Sequence, residues 1–181
     1  AAQYASRNKR IAAINLKEGD SVLQVEQGRE ETILLVTLKG MSIRFALSTV
    51  PEMGRTAAGV KCVKLENGDA VLLALQVRDE GEILTLSDRG YAKRSLLFDY
   101  EIQGRNGKGL KTFDFKKNGS NGTRIAAAFY VCEPFDFAVR QRHGAVTRFN
   151  TEDVRIEDRA SKGSMLVLVM LDDDVVLAEK I

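Results

Sequence analysis

The 181-residue chain has no tryptophan, one histidine, two prolines and two cysteines. Each scarcity closes off a class of chemistry. His143 is the only imidazole, no Cys-x-x-Cys occurs, and the acidic run Asp172 to Asp174 lacks the alternating spacing of a calcium loop. Metal ligation therefore has almost nothing to work with, and no cofactor is expected. There is no Gly-x-Ser-x-Gly, no histidine placed to serve both Cys62 and Cys132, and no Gly-x-x-x-x-Gly-Lys-Ser/Thr loop. Nucleophilic catalysis and nucleotide-phosphate binding thus lack their usual residues, and no catalytic residue is assigned. Two distant cysteines make no disulfide framework, which points to a reducing cytoplasm. Both lie in apolar runs and are expected in the core. The longest uninterrupted apolar stretches, Ile125 to Cys132 and Met165 to Leu171, are eight and seven residues, short of the roughly 18–20 a membrane helix needs. No basic-then-apolar leader opens the chain, and a start at Ala1 reads as an excised piece.

The chain is rich in repetition. TLKGMSIRF (37–45), SDRGYAKRS (87–95) and QRHGAVTRF (141–149) each carry a glycine followed four residues later by an arginine, giving Gly40/Arg44, Gly90/Arg94 and Gly144/Arg148. A second signature follows each: GRTAAGV (54–60), GRNGKGL (104–110) and DRASKGS (158–164) share Arg-x-x-x-Gly at Arg55/Gly59, Arg105/Gly109 and Arg159/Gly163. The two arginines are 11 residues apart in every copy, although the glycines recur at intervals of 50 and 54. KKNGSNGTR (116–124) reads as an enlarged turn that accounts for the longer interval. Repeats of about 50 residues mark a blade architecture.

Within each copy the period is two. Ile33 to Leu38 is aliphatic and β-branched, Lys39-Gly40 has the form of a tight hairpin turn, and Met41, Ile43 and Phe45 alternate with Ser42 and Arg44. Val60 to Leu65, then Asn67-Gly68, then Ala70 to Val77 reads as a second hairpin, and NLKEGDSVLQV (15–25) repeats that pattern. The expectation is an all-β chain of repeated four-stranded antiparallel blades: complete blades at 27–78, 79–132 and 133–181, and the final hairpin of a truncated blade at 1–26. Three and a half blades make a partial arc of a larger wheel. A short helical turn is allowed in Ser95 to Tyr100, and His143 is expected as a turn residue.

Alternation along the second strand of each copy places Ser42/Arg44, Ala92/Arg94 and Val146/Arg148 on a common face, each arginine beside a small or short side chain. The windows 39–61, 89–111 and 143–165 hold fourteen basic and seven acidic residues, whereas the remainder holds thirteen and eighteen. The net charge of +2 conceals that asymmetry. If the windows share one rim, they form a basic band suited to a phosphate backbone, with side-chain-free glycine loops exposing amide groups to an anion.

These motifs resemble the C-terminal DNA-wrapping domain of the bacterial DNA gyrase A protein, with its topoisomerase IV counterpart as the close relative. TLKGMSIRF…PEMGRTAAGVKCVKLENGD and SDRGYAKRSLLFDYEIQGRNGKGLKTF carry the likeness, and the paired signatures occur three times along nearly the whole chain. The resemblance implies a six-bladed β-pinwheel that binds double-stranded DNA on its outer rim. It would serve an ATP-hydrolysing type II topoisomerase, whose partners are the gyrase-type B protein, which carries the ATPase, and a second copy of the A protein. QGRNGKG (103–109) is similar to the gyrase box, Gln-Arg-Arg-Gly-Gly-Lys-Gly: Gln103, Arg105, Gly107, Lys108 and Gly109 match, while Gly104 and Asn106 depart. The family's catalytic tyrosine lies in a separate domain, and Tyr4 in QYASR does not stand in its motif.

The DNA-binding residues expected on these grounds are Arg44, Arg55, Arg89, Lys93, Arg94, Gln103, Arg105, Lys108, Lys111, Arg148 and Arg159. Rival readings stand beside them. Arg44, Arg94 and Arg148 are also placed to pair with Glu52, Asp99 and Glu152; Arg55, Arg105 and Arg159 could tie down loops through carbonyl bonds; Tyr91 could stack on a sugar or pack. The whole arc could alternatively serve as a protein-interaction platform.

Overall fold

The computed structural model describes residues 10–181, which contain eleven strands and no α-helix. The strands are β1 (Thr32–Thr37), β2 (Met41–Ala46), β3 (Val71–Val77), β4 (Glu82–Ser87), β5 (Tyr91–Leu96), β6 (Leu110–Lys111), β7 (Ile125–Val131), β8 (Asp136–Gln141), β9 (Val146–Asn150), β10 (Ser164–Met165) and β11 (Val175–Lys180). They form three sheets, ordered β3-β1-β2-β6, β10-β5-β4-β7 and β11-β8-β9. All ladders are antiparallel.

The recurrent glycines are where the hairpins close. Gly40, Gly90 and Gly144 lie at φ of 75, 76 and 94°, a region only glycine enters cheaply. Each donates its N–H to the carbonyl three residues back, at Thr37, Ser87 and Gln141. The loop is therefore a three-residue turn with a left-handed glycine at its end, one residue longer than the two-residue turn expected. Three-residue 3-10 turns follow each hairpin at Leu47–Thr49, Leu97–Asp99 and Thr151–Asp153. The middle one falls inside the predicted Ser95 to Tyr100.

The second hairpin of each repeat does not form as the sequence suggests. Val60 to Leu65 is not a strand, and β3 instead pairs with β1. The equivalent two residues of the next repeat, Leu110–Lys111, leave their own repeat and pair with Ser42–Met41 of β2. Ser164–Met165 of the third repeat likewise pair with Ala92–Tyr91 of β5. The first two hairpins thus each offer a free edge that the following repeat fills, so neighbouring sheets are laced together rather than merely stacked. Residues 15–25 contain no strand, and the remainder of the hairpin expected at 1–26, with Tyr4, lies partly outside the described residues.

The enlarged turn is confirmed in place: nine residues lie between Met165 and Val175, and thirteen between Lys111 and Ile125. Asn121, fully buried, organises it by accepting from Lys116 N and donating to the carbonyls of Asp114 and Lys162.

Strands β1 and β4 bury both faces and accordingly read as near-continuous apolar runs, whereas β9 and β11 of the third sheet are largely exposed. Leu34, Val36, Val77, Ile83, Leu97 and Tyr100 pack between the first two sheets. A larger cluster that includes Leu84, Leu86, Phe137, Val139, Val167 and Val175 joins the second and third. Cys62 is half-buried and Cys132 exposed, so neither is the core residue expected. His143 lies exposed in the β8–β9 turn. No helix among the described residues is long and apolar enough to cross a membrane.

Candidate nucleic-acid interface

The three arginines four residues after the turn glycines do not share one environment. Arg44 is 6% exposed: its Nε donates to Thr32 Oγ1, and Nη2 meets Asp79 Oδ1 at 2.5 Å and the Arg78 carbonyl. Arg94 is half-buried, with Nη1 on Glu82 Oε2 at 2.7 Å and Nε on the Val154 carbonyl. Arg148 is exposed and paired with Asp136 Oδ2 at 2.5 Å. The expected unobstructed guanidinium is thus corrected for Arg44 and Arg94. The face that alternation assigns them is covered by the next repeat: Leu34 and Leu84, directly opposite Arg44 and Arg94 in their hairpins, belong to the clusters packed between one sheet and the next. The partners are not Glu52, Asp99 and Glu152. In the second and third repeats they are Glu82 and Asp136, twelve residues before the arginine and diagonal to it across the hairpin. In the first repeat that place holds Thr32, and Asp79 supplies the charge. Arg148 and Asn150 together hold the Asp136 carboxyl below its usual range, Arg148 contributing most.

Other predicted contacts are also committed to the fold. Arg89 donates to the carbonyls of Val169, Met170 and Asp173. Lys93 is fully buried and donates to Ser95 Oγ and to the carbonyls of Asp158 and Arg159. Burial pushes its ammonium down to about 8, because charge is penalised away from water.

The Arg-x-x-x-Gly arginines follow one rule. Arg105 Nη1 donates to the Lys61 carbonyl at 2.7 Å, Arg159 Nη1 to the Lys111 carbonyl, and Arg55 Nη1 to the Ala12 carbonyl at 3.2 Å. Lys61 and Lys111 each lie two residues after the glycine of the preceding loop. The glycines complete the junction: Gly59, Gly109 and Gly163 all have φ between 68 and 81°. A Cβ at Gly109 would come within 2.2 Å of the Ser42 carbonyl, and one at Gly163 within 3.1 Å of the Ala92 carbonyl. Only a residue without a side chain lets the loop sit on the preceding hairpin.

This docking brings successive loops side by side. Residues 62–64 run beside 106–107, with a parallel bridge between Val63 and Gly107, Asn106 N donating to Cys62 O, and Lys64 N to Gly107 O. The next pair is joined by Asp114 N donating to Ser161 O. From the first junction rise Lys61, Lys64 and Lys108, all exposed and without an ion-pair partner among the described residues. Half-buried Arg105 and Gln103 lie alongside, Gln103 N donating to Arg44 O. Asn106 has φ 66°, and this left-handed turn aims its N–H at the Cys62 carbonyl of the preceding loop. At the next junction Lys111 is exposed but holds Asp114 Oδ1 at 2.7 Å, lowering that carboxyl's pKa. Lys116 Nζ stands 5.3 Å from the centre of the Tyr91 ring. Lys61 and Lys64 were missed from the sequence, although Lys61 holds the same place after Gly59 as Lys111 does after Gly109.

Sheets laced in this way, the first two each finished by a strand of the following repeat, define a β-pinwheel with a basic strip where its loops adjoin. The family model described as DNA gyrase C-terminal domain, beta-propeller, matches residues 31–78 and 81–121, and the chain belongs to that family. Relatives named as the A protein of DNA gyrase include one from Kosmotoga olearia, 38% identical over 176 residues, covering 94% of this chain and 21% of the relative. Another from Staphylococcus epidermidis is 36% identical, covering 90% and 18%. The chain thus spans about a fifth of the length of these curated relatives. Among solved structures, the C-terminal domain of DNA topoisomerase IV has the same fold with a TM-score of 0.87 at 24% identity, over 99% of this chain and 56% of that one. A DNA gyrase A C-terminal domain gives 0.77 at 23% identity, over 94% and 57%.

Proposed function

We propose that this chain is a non-catalytic, DNA-binding and DNA-bending part of the A protein of a type II topoisomerase. It holds double-stranded DNA by its phosphates, without reading bases. The observation that carries this is the run of exposed, unpaired Lys61, Lys64 and Lys108 on adjoining loops of consecutive repeats. With Arg44, Lys93 and Arg94 engaged inside the fold, these lysines, with Lys111 and Arg148, are the proposed contacts. No recognition helix exists among the described residues, and ammonium groups strung along a curved edge suit backbone tracking rather than base readout. In the whole enzyme the proposed partners are the gyrase-type B protein with its ATPase and a second copy of the A protein, in the bacterial cytoplasm on the nucleoid. The bent segment would be handed to the strand-passage core. Sequence relatives favour the gyrase branch.

A mobility-shift titration against salt tests this reading. Four to six neutralised phosphates give a slope of log affinity on log salt of about −4 to −5. Replacing Lys61, Lys64 and Lys108 together with Gln is expected to weaken binding and flatten the slope by about 2 to 3. Failure of the folded chain to retard any duplex at low salt would favour a protein-interaction platform instead. An unchanged slope in the triple variant would remove these lysines from the contact surface.

A further inference from the structure

The Arg-x-x-x-Gly arginines look from sequence like phosphate ligands, yet the same atom of each makes the same bond to protein. Arg55, Arg105 and Arg159 each direct Nη1 to the carbonyl two residues past the previous loop's glycine or its equivalent, at Ala12, Lys61 and Lys111. Arg159 adds Nε on the Asp99 carbonyl, at the foot of the preceding hairpin. The bond always runs from one repeat back to the one before it. Nothing in a single repeat calls for it: the hairpins are already closed by their own turns and ladders, and the contact determines only how one loop sits against the next.

We propose that Arg105 and Arg159 are positioning residues that fix the angle between successive repeats, and thereby the path of bound DNA, rather than residues that contact it. This rests on the DNA-binding reading above. The lysines that would face phosphate are carried by the clamped segments. Arg105 grips the carbonyl of Lys61 itself, three residues before Lys64, while Lys108 follows three residues after Arg105. A guanidinium suits the task because its planar fork holds a carbonyl at fixed geometry and stays charged at every working pH. Losing the clamp leaves the number of ammonium groups unchanged but lets neighbouring loops rotate, so the lysines no longer fall on one continuous curve. A short duplex reaching a single junction would not sense that; a long duplex that must follow several junctions would.

Three quantities separate a clamp from a ligand: affinity for a duplex of about 12 base pairs, roughly one turn, affinity for one of about 40, and the salt slope on each. Arg105→Gln is expected to bind the short duplex as the parent does and with the same slope. It should lose about tenfold on the long duplex, and energy transfer between dyes on the long duplex ends should fall as the bend opens. Lys108→Gln, as the comparison, should lower both affinities and flatten the slope by about one. Arg159→Gln at the other junction should behave as Arg105→Gln does, so the two junctions check each other should one variant be poorly folded. Arg105→Lys, which keeps a donor within reach of Lys61 O, should recover part of the long-duplex affinity. The proposal is overturned if Arg105→Gln flattens the slope by about one, if it weakens short and long duplexes alike, or if both glutamine variants simply fail to fold. Absence of binding by the parent chain would instead overturn the DNA-binding reading on which this rests.

Discussion

Raising the pH should stabilise this protein, and Lys93 is the reason. Its side chain is fully buried on β5, where Ile43 and Thr147 occupy the equivalent places of the other hairpins. Ser95 Oγ and the carbonyls of Asp158 and Arg159 accept hydrogen bonds from its ammonium. Asp99, Glu157 and Asp158 partly offset the loss of water, Arg159 opposes them, and burial dominates, bringing the pKa from 10.5 to about 8. A folded-state value below the unfolded one means that the unfolded chain binds more protons between pH 8 and 10.5. Stability therefore rises across that window and is lost again as pH falls through 8. The full depression corresponds to about 3 kcal/mol, of which about 2 should have appeared by about pH 9.5. Tyr100 and Tyr130, both pushed up to about 12 by burial, act in the opposite sense. Their contribution is intact below pH 10 and declines above it, and burial of Cys62 raises its thiol to the same effect from about pH 9 upward. Urea unfolding followed by circular dichroism at about pH 7, 8.5 and 9.5 should show a rise that Lys93→Met abolishes. Parallel curves for the two proteins would refute the account of a buried ammonium at the second junction.

Two further outcomes concern the junctions and the hairpins. Gly109→Ala should cost about 3–5 kcal/mol, because a left-handed backbone and a collision with the Ser42 carbonyl act together. Gly144→Ala, at φ 94° with nothing within 4 Å of its Cβ, should cost only about 1–2; equal losses in chemical denaturation would show that the docking contact is unimportant. Arg94→Ala strands Glu82, whose side chain is 18% exposed, and should cost about 2–3 kcal/mol, lowering the melting temperature by about 5–10 °C. It should leave the salt slope of DNA binding untouched. A flattened slope at constant melting temperature would return Arg94 to the phosphate-binding set.

Spacing alone determined much of this molecule. The unvarying 11 residues between the two arginines of each copy marks the length of chain from hairpin to docking loop. Gly40, Gly90 and Gly144 had to be turns because left-handed backbone excludes other residues at little gain. The four extra residues fell where KKNGSNGTR suggested. The diagonal carboxylates were not found this way: the sequence pointed to Asp99 and Glu152, whereas Glu82 and Asp136, twelve residues before Arg94 and Arg148, are the partners. Period-two alternation says which side chains share a face but not what lies against that face. Only the tertiary structure showed that Leu110–Lys111 and Ser164–Met165 cross to the preceding sheet. A strand edge is satisfied by whichever backbone reaches it, and one sequence segment carries no mark of its partner. Packing of each repeat on its neighbour buries Arg44 and Lys93, turns Arg105 and Arg159 inward onto carbonyls, and leaves Lys61, Lys64 and Lys108 facing water. Charge could be counted along the chain; which cations remained free was decided by the packing that used up the rest.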